Sequence, residues 1–319
     1  MNRRFALIQA LVSLIALGAV VWWASRQQTP ELPHTAGALS WLVGGVLMYA
    51  LATVVRAERW ERILRLTGVE ASRRDVYGLT TVGYMGNNVL PARAGEVLRV
   101  VLLAPRTGAG KRLLLGTVVS ERLLDALALA AILVVVVYGV LRNATLPSHR
   151  PFLVAGLALA GLAVAVVGLQ VLRRHRAFAR VRDVLRPLAG APRALVSRSG
   201  LVLLGVSFLI WALEATVYLF VAHAAGLGMS GMDALYLVAL TNLFAMLPAA
   251  PGYVGTFDAA VVFGVKAVGG TGSAAVSYLL LLRFVLFLPI TIVGLVVLVT
   301  RYGGWSRLRS AVRLEASRA

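Results

Sequence analysis

The chain has 319 residues, of which 59% are apolar and only 14% are charged, and its net charge is +19. A soluble globular domain carries about 25% charged residues, so this composition excludes an ordinary soluble enzyme and predicts an integral membrane protein. The absence of cysteine excludes disulfides, iron–sulfur clusters and thiolate metal sites. The histidines are scattered along the sequence, and we expect neither a metal site nor a cofactor.

The first two apolar runs predict a pair of spanning helices. Residues 6–24 follow Arg3 and Arg4, and we interpret them as a helix that leaves the cytoplasm. A cleaved signal peptide is the alternative, but its apolar region would have only about 7–15 residues. Residues 36–55 return inward. They end in a block of arginines that the positive-inside rule places in the cytoplasm: Arg56, Arg59, Arg62, Arg65, Arg73 and Arg74.

Two later apolar regions are interrupted by proline and glycine. The first, residues 76–104, is broken around Pro91 and Gly95. The second, residues 234–268, is broken at Pro248, Pro251, Gly252 and Gly255. Each arm is too short to cross a bilayer comfortably, since a spanning helix needs about 20 residues. We therefore predict two re-entrant hairpins, the first entering from the cytoplasm and the second from outside.

The remaining apolar runs alternate in direction between these hairpins. Four further spanning helices are predicted, with a basic loop at 173–200 and a basic cytoplasmic tail at 301–319: residues 113–140, 151–172, 201–225 and 272–300. Most of the 32 lysines and arginines then lie on the cytoplasmic side, which explains the net charge without nucleic acid. We expect a multi-pass protein of the cytoplasmic (inner) membrane with both termini in the cytoplasm. Its expected partners are membrane lipids, with a homo-oligomer or a lipid-synthesis enzyme as further candidates.

A short sequence repeat relates the two broken regions. Leu90-Pro91-Ala92-x-x-Gly95 recurs as Leu247-Pro248-Ala249-x-x-Gly252, 157 residues later. The same offset superimposes the flanking helices, which defines repeats at about 36–140 and 201–300 within one transmembrane domain, residues 1–300. Because the two units run in opposite directions, they resemble the inverted repeats of secondary transporters.

The predicted fold class is an all-α integral membrane protein with about six spanning helices and two re-entrant broken hairpins. Eight spans would result if each hairpin crossed the membrane fully. Two unrelated Pro/Gly kinks in ordinary spanning helices would also produce the short sequence match.

Charged side chains inside the membrane segments are candidates for function, because each costs at least about 2.5 kcal/mol on insertion scales. An arginine fork suits a phosphate group, to which it can donate two parallel hydrogen bonds. We therefore predict a headgroup site, with no catalytic residue, formed by Asn87, Asn88, Arg93, Arg122 and Arg283. The predicted charge-pairing or coupling residues are Glu96, Glu121, Asp125, Glu214 and Asp258. A structural Arg283–Glu214 ion pair is an alternative role for those two residues.

Three motifs resemble those of a known family. The run Asn87–Arg99 resembles the first signature of the lysylphosphatidylglycerol synthase transmembrane-region family. Glu121-Arg122 with Asp125, and Leu247-Pro248-x-x-Pro251-Gly252-x-x-Gly255, resemble later ones, whereas Phe257-Asp258 matches only approximately. The resemblance implies a lipid flippase. It also implies roles in transport for seven charged residues: Arg93, Glu96, Arg99, Glu121, Arg122, Asp125 and Arg283.

The sequence leaves three functional hypotheses. The first is a flippase that moves a lipid with a polar, phosphate-bearing headgroup, such as an aminoacylated phospholipid or a lipid-linked sugar. It corresponds to family members without the aminoacyl-transfer domain, because only a short basic tail follows the last predicted helix. The second is a membrane-embedded headgroup transferase with Glu96 or Asp125 as its base. The third is a lipid-binding scaffold.

Overall fold

The protein was analysed as a computed structural model, which describes residues 33–90, 93–142, 198–245 and 251–303 and a few positions between 18 and 26. The predicted spans at 6–24 and 151–172, nearly all of the 173–200 loop and most of the tail lie outside these residues, as do Pro91 and Pro248. The described parts form α-helices, one short 3₁₀ turn and no strand. In order, these are α1 Ala36–Leu66, α2 Arg73–Val89, α3 Ala94–Thr107, α4 Lys111–Arg142, α5 Arg198–Ala224, α6 Gly231–Ala245, the 3₁₀ turn Pro251–Tyr253, α7 Thr256–Ala267 and α8 Gly272–Tyr302.

Three of these helices, α1, α5 and α8, are long and apolar enough to cross a membrane. The two helices of each hairpin are much shorter: α2 has 17 residues and α3 has 14, or roughly 26 and 21 Å at 1.5 Å per residue. Helices suit a bilayer because they satisfy their backbone hydrogen bonds internally. The fold confirms the predicted all-α membrane class.

The first hairpin closes because glycines line its inner face. A Cβ on Gly95, at the start of α3, would lie 2.0 Å from the Gly83 carbonyl oxygen of α2. A Cβ on Gly86 would lie 2.6 Å from the Gly95 Cα atom. The backbones of α2 and α3 therefore approach more closely than any side chain would allow.

The helices recur at the offset that relates the two sequence motifs. Adding 157 to the bounds of α2 gives 230–246, and α6 spans Gly231–Ala245. The same shift carries α4 to 268–299, beside α8 at Gly272–Tyr302. Each hairpin packs against the long helix of the other unit, α2 against α8 and α6 against α4. The two units are therefore intertwined and form a single bundle.

The first helices of the two units run antiparallel. Trp41, near the start of α1, stacks on His223 at the end of α5, with ring centroids 4.7 Å apart. Further along α1, Arg59 donates a hydrogen bond of 2.7 Å to Ser207, which lies earlier in α5. Because equivalent helices point in opposite directions, the second unit is inverted relative to the first.

One end of the bundle is rich in arginine. Arg106 at the end of α3 and Tyr302 at the end of α8 both bind Asp75 near the start of α2, at 2.8 and 3.1 Å. Arg301 donates to the Arg74 carbonyl oxygen at 3.0 Å. We call this the basic end. The first hairpin opens towards it, and the second opens towards the opposite end, where α5 leads into α6.

The sequence interpretation of Arg56 and Arg59 as part of a cytoplasmic arginine block is wrong. Helix α1 does not end at residue 55 but continues to Leu66, followed by Thr67 and by Gly68 with a φ of 76°. The side chain of Arg59 is fully buried, and that of Arg56 is nearly so. The two arginines therefore lie inside the bundle, because the helix carries them past the apolar run without a break.

Candidate functional site

The tips of the two hairpins meet near the middle of the bundle. The first tip contains Asn88 and Arg93, and the second contains the turn Pro251–Tyr253. Arg93 in the first tip lies over the ring of Tyr253 in the second, 5.4 Å from its centroid. A partly open cavity of about 80 Å³ lies between the tips and the central helices. Its polar wall is formed by Arg56, Asn87, Asn88, Arg93, Arg122, Asp125, Glu214 and Asn242. Its aromatic wall is formed by Tyr49, Tyr84, Trp211, Tyr253, Phe257 and Phe287.

Four buried carboxylates around the cavity each have one closely bound arginine. Asp125 accepts a hydrogen bond from Arg59 at 2.6 Å, and Asp258 accepts one from Arg283 at 2.5 Å. The other two pairs are Glu214 with Arg56 and Glu121 with Arg99. All four carboxylate side chains are at most 6% exposed. Each pair offsets the cost of burying its two charges, which would be several kcal/mol per unpaired ion.

The fifth carboxylate, Glu96, is shared between two arginines. Its Oε1 atom lies 3.6 Å from Arg93 Nη1 and 3.5 Å from Arg122 Nε. Neither contact has hydrogen-bond geometry, and Glu96 Oε1 and the Nε atoms of both arginines are buried without a hydrogen-bond partner. Arg122 also lies 3.4 Å from Asp125, whose closest arginine is Arg59. This loose triad carries one excess positive charge, and its two arginines line the cavity.

Arg56 and Arg59 are the site residues that sequence reasoning missed. Arg56 lies among the rings of Tyr49, Tyr84 and Trp211, with its Cζ atom 5.5–6.0 Å from their centroids. Its Nη1 atom has no hydrogen-bond partner. The signal was present in the sequence, because no proline or glycine separates Arg56 from the preceding apolar run.

Arg283 does not form the pair with Glu214 that the sequence offered as an alternative, nor does it belong to the cavity wall. It lies between the rings of Phe257 and Phe287, at 5.5 and 5.0 Å, and donates to the Gly252 carbonyl oxygen at 3.3 Å. Its partner Asp258 also accepts a hydrogen bond of 2.8 Å from the Gly255 amide, which caps α7. Arg283 thus holds the second tip in shape.

The two asparagines of the first tip have different surroundings. Asn88 donates to Thr291 Oγ1 at 2.9 Å and more weakly to the Phe287 carbonyl oxygen, so it ties the tip to α8. Asn87 is buried at the cavity wall, and its Oδ1 atom has no hydrogen-bond partner. The predicted break residues Pro251 and Gly252 form the 3₁₀ turn of the second tip, and Gly255 precedes α7.

Among the described residues, no three His, Asp or Glu side chains are grouped as metal ligands would be. Glu96 and Arg99 line a second, smaller cavity, which shares Tyr84, Asn87 and Arg122 with the first. What the arrangement offers chemically is therefore a set of arginine donors in a largely apolar setting. Such donors bind anionic oxygen strongly where water is scarce.

The fold and the site define a polytopic helical membrane protein with a charged cavity between two inverted hairpins. The chain belongs to the lysylphosphatidylglycerol synthase TM region family, whose profile matches residues 7–294. The match confirms the family that the motifs around Asn87–Arg99 resemble, and it spans both hairpins and the intervening helices.

Three individual relatives are only 23–25% identical to this chain over the matched residues. A UPF0104 membrane protein of Methanothermobacter thermautotrophicus is 23% identical over 314 residues, covering 90% of this chain and 93% of the relative. Another, from Pyrococcus horikoshii, is 25% identical over 128 residues, which is 39% of this chain and 37% of the relative. Glycosyltransferase AglD of Haloferax volcanii is 23% identical over 299 residues, covering 79% of this chain but only 47% of AglD.

Proposed function

We propose that this protein is a transporter that moves a lipid with a phosphate-bearing headgroup between the leaflets of the cytoplasmic membrane. The observation that carries the proposal is the Arg93–Glu96–Arg122 triad, in which two arginines of the cavity wall share one carboxylate that lines the adjoining smaller cavity. A phosphate group there would replace an unsatisfied set of donors with charge-assisted hydrogen bonds. The acyl chains would stay in the surrounding lipid.

The position of the cavity supports transport over simple binding. It lies where the tips of two inverted hairpins meet, and each hairpin opens towards a different end of the bundle. Alternating displacement of the tips would expose the same site to one leaflet and then the other, as in transporters built from inverted repeats. The arginines of the basic end, among them Arg73, Arg106 and Arg301, support a cytoplasmic position for that end under the positive-inside rule.

A sugar-bearing lipid is a second candidate cargo. The relative AglD is named a glycosyltransferase, and sugars are carried on membrane lipids through phosphate links. The same arginines would bind that phosphate, while the aromatic wall around Trp211 offers flat surfaces for a sugar ring. Transport of a lipid-linked sugar in place of a phospholipid would favour this cargo.

The proposal treats the chain as a transporter and not as an enzyme. Formation of a modified lipid by the purified protein from a candidate group donor would favour the transferase hypothesis. Full function after neutralisation of the cavity arginines would favour the scaffold.

The test is a leaflet-accessibility assay with the purified protein in liposomes that contain a phospholipid fluorescently labelled on its acyl chain. The variant Arg93→Gln/Arg122→Gln removes both arginines of the triad. The matched control, Arg62→Gln/Arg65→Gln, removes two charges from side chains that are 47% and 63% exposed at the basic end. We expect the first variant to slow translocation at least tenfold and the control to change it little. Equal rates for both variants would contradict the proposed site.

A further inference from the structure

Glu96 differs from every other carboxylate around the cavity. Glu214, Asp125, Glu121 and Asp258 are each held by an arginine at hydrogen-bond distance. Glu96 lies at 3.5–3.6 Å from its two arginines, and its side chain is 19% exposed. It is therefore the carboxylate whose charge is least committed to holding the fold together.

The charges around the cavity add up to a small, defined excess. Six arginines lie there, Arg56, Arg59, Arg93, Arg99, Arg122 and Arg283, with five carboxylates, Glu96, Glu121, Asp125, Glu214 and Asp258. Glu61, also buried, binds Arg65 and Arg73 towards the basic end and does not join this group. One positive charge remains in excess, and it belongs to the triad. A ligand with one negative charge would neutralise it.

We propose that Glu96 sets the charge of the headgroup that the site accepts, and limits it to the single negative charge of a phosphodiester. The inference rests on the proposed function and narrows its substrate class. A phosphomonoester has a second pKa of about 6, so near pH 8 it carries almost two negative charges. Bound beside Glu96 in this partly buried site, its second charge would have no counter-ion and would repel the carboxylate.

The limit to one negative charge also distinguishes two classes of lipid-linked sugar. A sugar joined to its lipid through one phosphate forms a phosphodiester and matches the site. A diphosphate link carries at least two negative charges and does not. Removing the charge of Glu96 would leave two uncompensated arginines and would reverse this preference.

The test measures binding in detergent, without translocation. The two probes are dihexanoyl phosphatidylglycerol, a phosphodiester, and dihexanoyl phosphatidic acid, a phosphomonoester. Each is titrated at pH 8 while the tryptophan fluorescence of the protein, to which the cavity residue Trp211 contributes, is followed. We expect the wild-type protein to prefer the phosphodiester about tenfold. In Glu96→Gln the preference should vanish or reverse, whereas Glu96→Asp, which keeps the charge, should retain it. The control Glu58→Gln removes a carboxylate that binds Tyr77 and Arg62 far from the cavity, and it should behave as wild type.

The wild-type protein provides a check that requires no mutation. Between pH 8 and pH 5.5 phosphatidic acid gains a proton, so the ratio of its dissociation constant to that of phosphatidylglycerol should fall several-fold. The role of Glu96 would be overturned if the ratio of the two dissociation constants were the same in Glu96→Gln as in the wild type. It would also be overturned if the wild-type preference did not depend on pH. Neither result would contradict the proposed function. Failure of the wild-type protein to bind either probe would overturn both proposals.

Discussion

The two hairpin tips occupy equivalent places in the inverted units, yet they use their charged residues differently. In the first tip, Arg93 lies at the cavity wall and shares Glu96 with Arg122 at 3.5–3.6 Å. At the second tip, Asp258 and Arg283 bind each other at 2.5 Å and bind the backbone of the tip itself. The charges of the first tip are therefore less tightly bound by the protein, whereas those of the second tip stabilise the shape of the tip itself.

An ionised residue inside the bundle can therefore be held entirely by protein contacts, without a ligand. The cost of burial demands a partner, and the partner can be another part of the protein or a ligand. What distinguishes the two cases is the contact with the carboxylate, which is a hydrogen bond of 2.5 Å for Arg283 but a longer contact of 3.5–3.6 Å for Arg93 and Arg122. The comparison leads to three experiments, taken in order of the expected loss of stability.

The first test replaces the arginine of each tip by alanine, in separate variants. Arg283→Ala leaves Asp258 buried without its counter-ion, so we expect a loss of about 3 kcal/mol in the free energy of unfolding. Arg93→Ala breaks a long ion pair between partly exposed side chains and the contact with the Tyr253 ring, and should cost about 1 kcal/mol. Thermal unfolding in detergent would measure both. Translocation should fall in both variants, but only Arg283→Ala should also lower the melting temperature strongly.

The variant Arg283→Lys is the control for this test. It keeps a positive charge near Asp258 but cannot also reach the Gly252 carbonyl oxygen with a planar fork. Partial recovery of stability is therefore expected. Equal melting temperatures for Arg283→Ala and Arg93→Ala would contradict the distinction between the tips.

The second test concerns the packing of the first hairpin. A Cβ on Gly95 would lie 2.0 Å from the Gly83 carbonyl oxygen and 2.5 Å from the Asn87 amide nitrogen, both in the backbone of α2. Gly95→Ala must therefore separate α2 from α3, at a cost of about 1–3 kcal/mol. The matched control is Gly205→Ala in α5, where a Cβ would meet open space. If Gly95→Ala were as stable as this control, α2 and α3 could separate without loss of stability, and the prediction would be contradicted.

The third test concerns the second hairpin, where glycine is needed for a different reason. Gly252 has a φ of 64°, and the nearest atom to its Cβ position is the Asn88 carbonyl oxygen at 3.4 Å, an ordinary contact. Gly252→Ala should thus cost about 1–2 kcal/mol of backbone strain, without displacing its neighbours. Limited proteolysis should detect a loosened second tip while cleavage of the first hairpin stays unchanged. Equal loosening of both hairpins would contradict this local effect.

Many residues of the site could be predicted from the sequence. The broken regions identified both tips, and Arg93, Glu96, Arg122 and Asp125 were found because charge is rare within apolar segments. Arg283 was also found, but its binding role was assigned without knowledge of Asp258 as its partner. Arg56 and Arg59 were missed because the positive-inside rule assigns arginines after an apolar run to the cytoplasm, whereas α1 continues to Leu66.

The sequence by itself determined the class of protein, the order of its helices, the two breaks and the family. These follow from hydropathy, from helix-breaking residues and from short motifs, which are local properties of the chain. Only the tertiary structure decided which charge pairs with which, because the Arg59–Asp125 and Arg56–Glu214 pairs join positions 66 and 158 residues apart. The free energy of each buried charge depends on its neighbours in space, and inverted units bring together neighbours that no local pattern records.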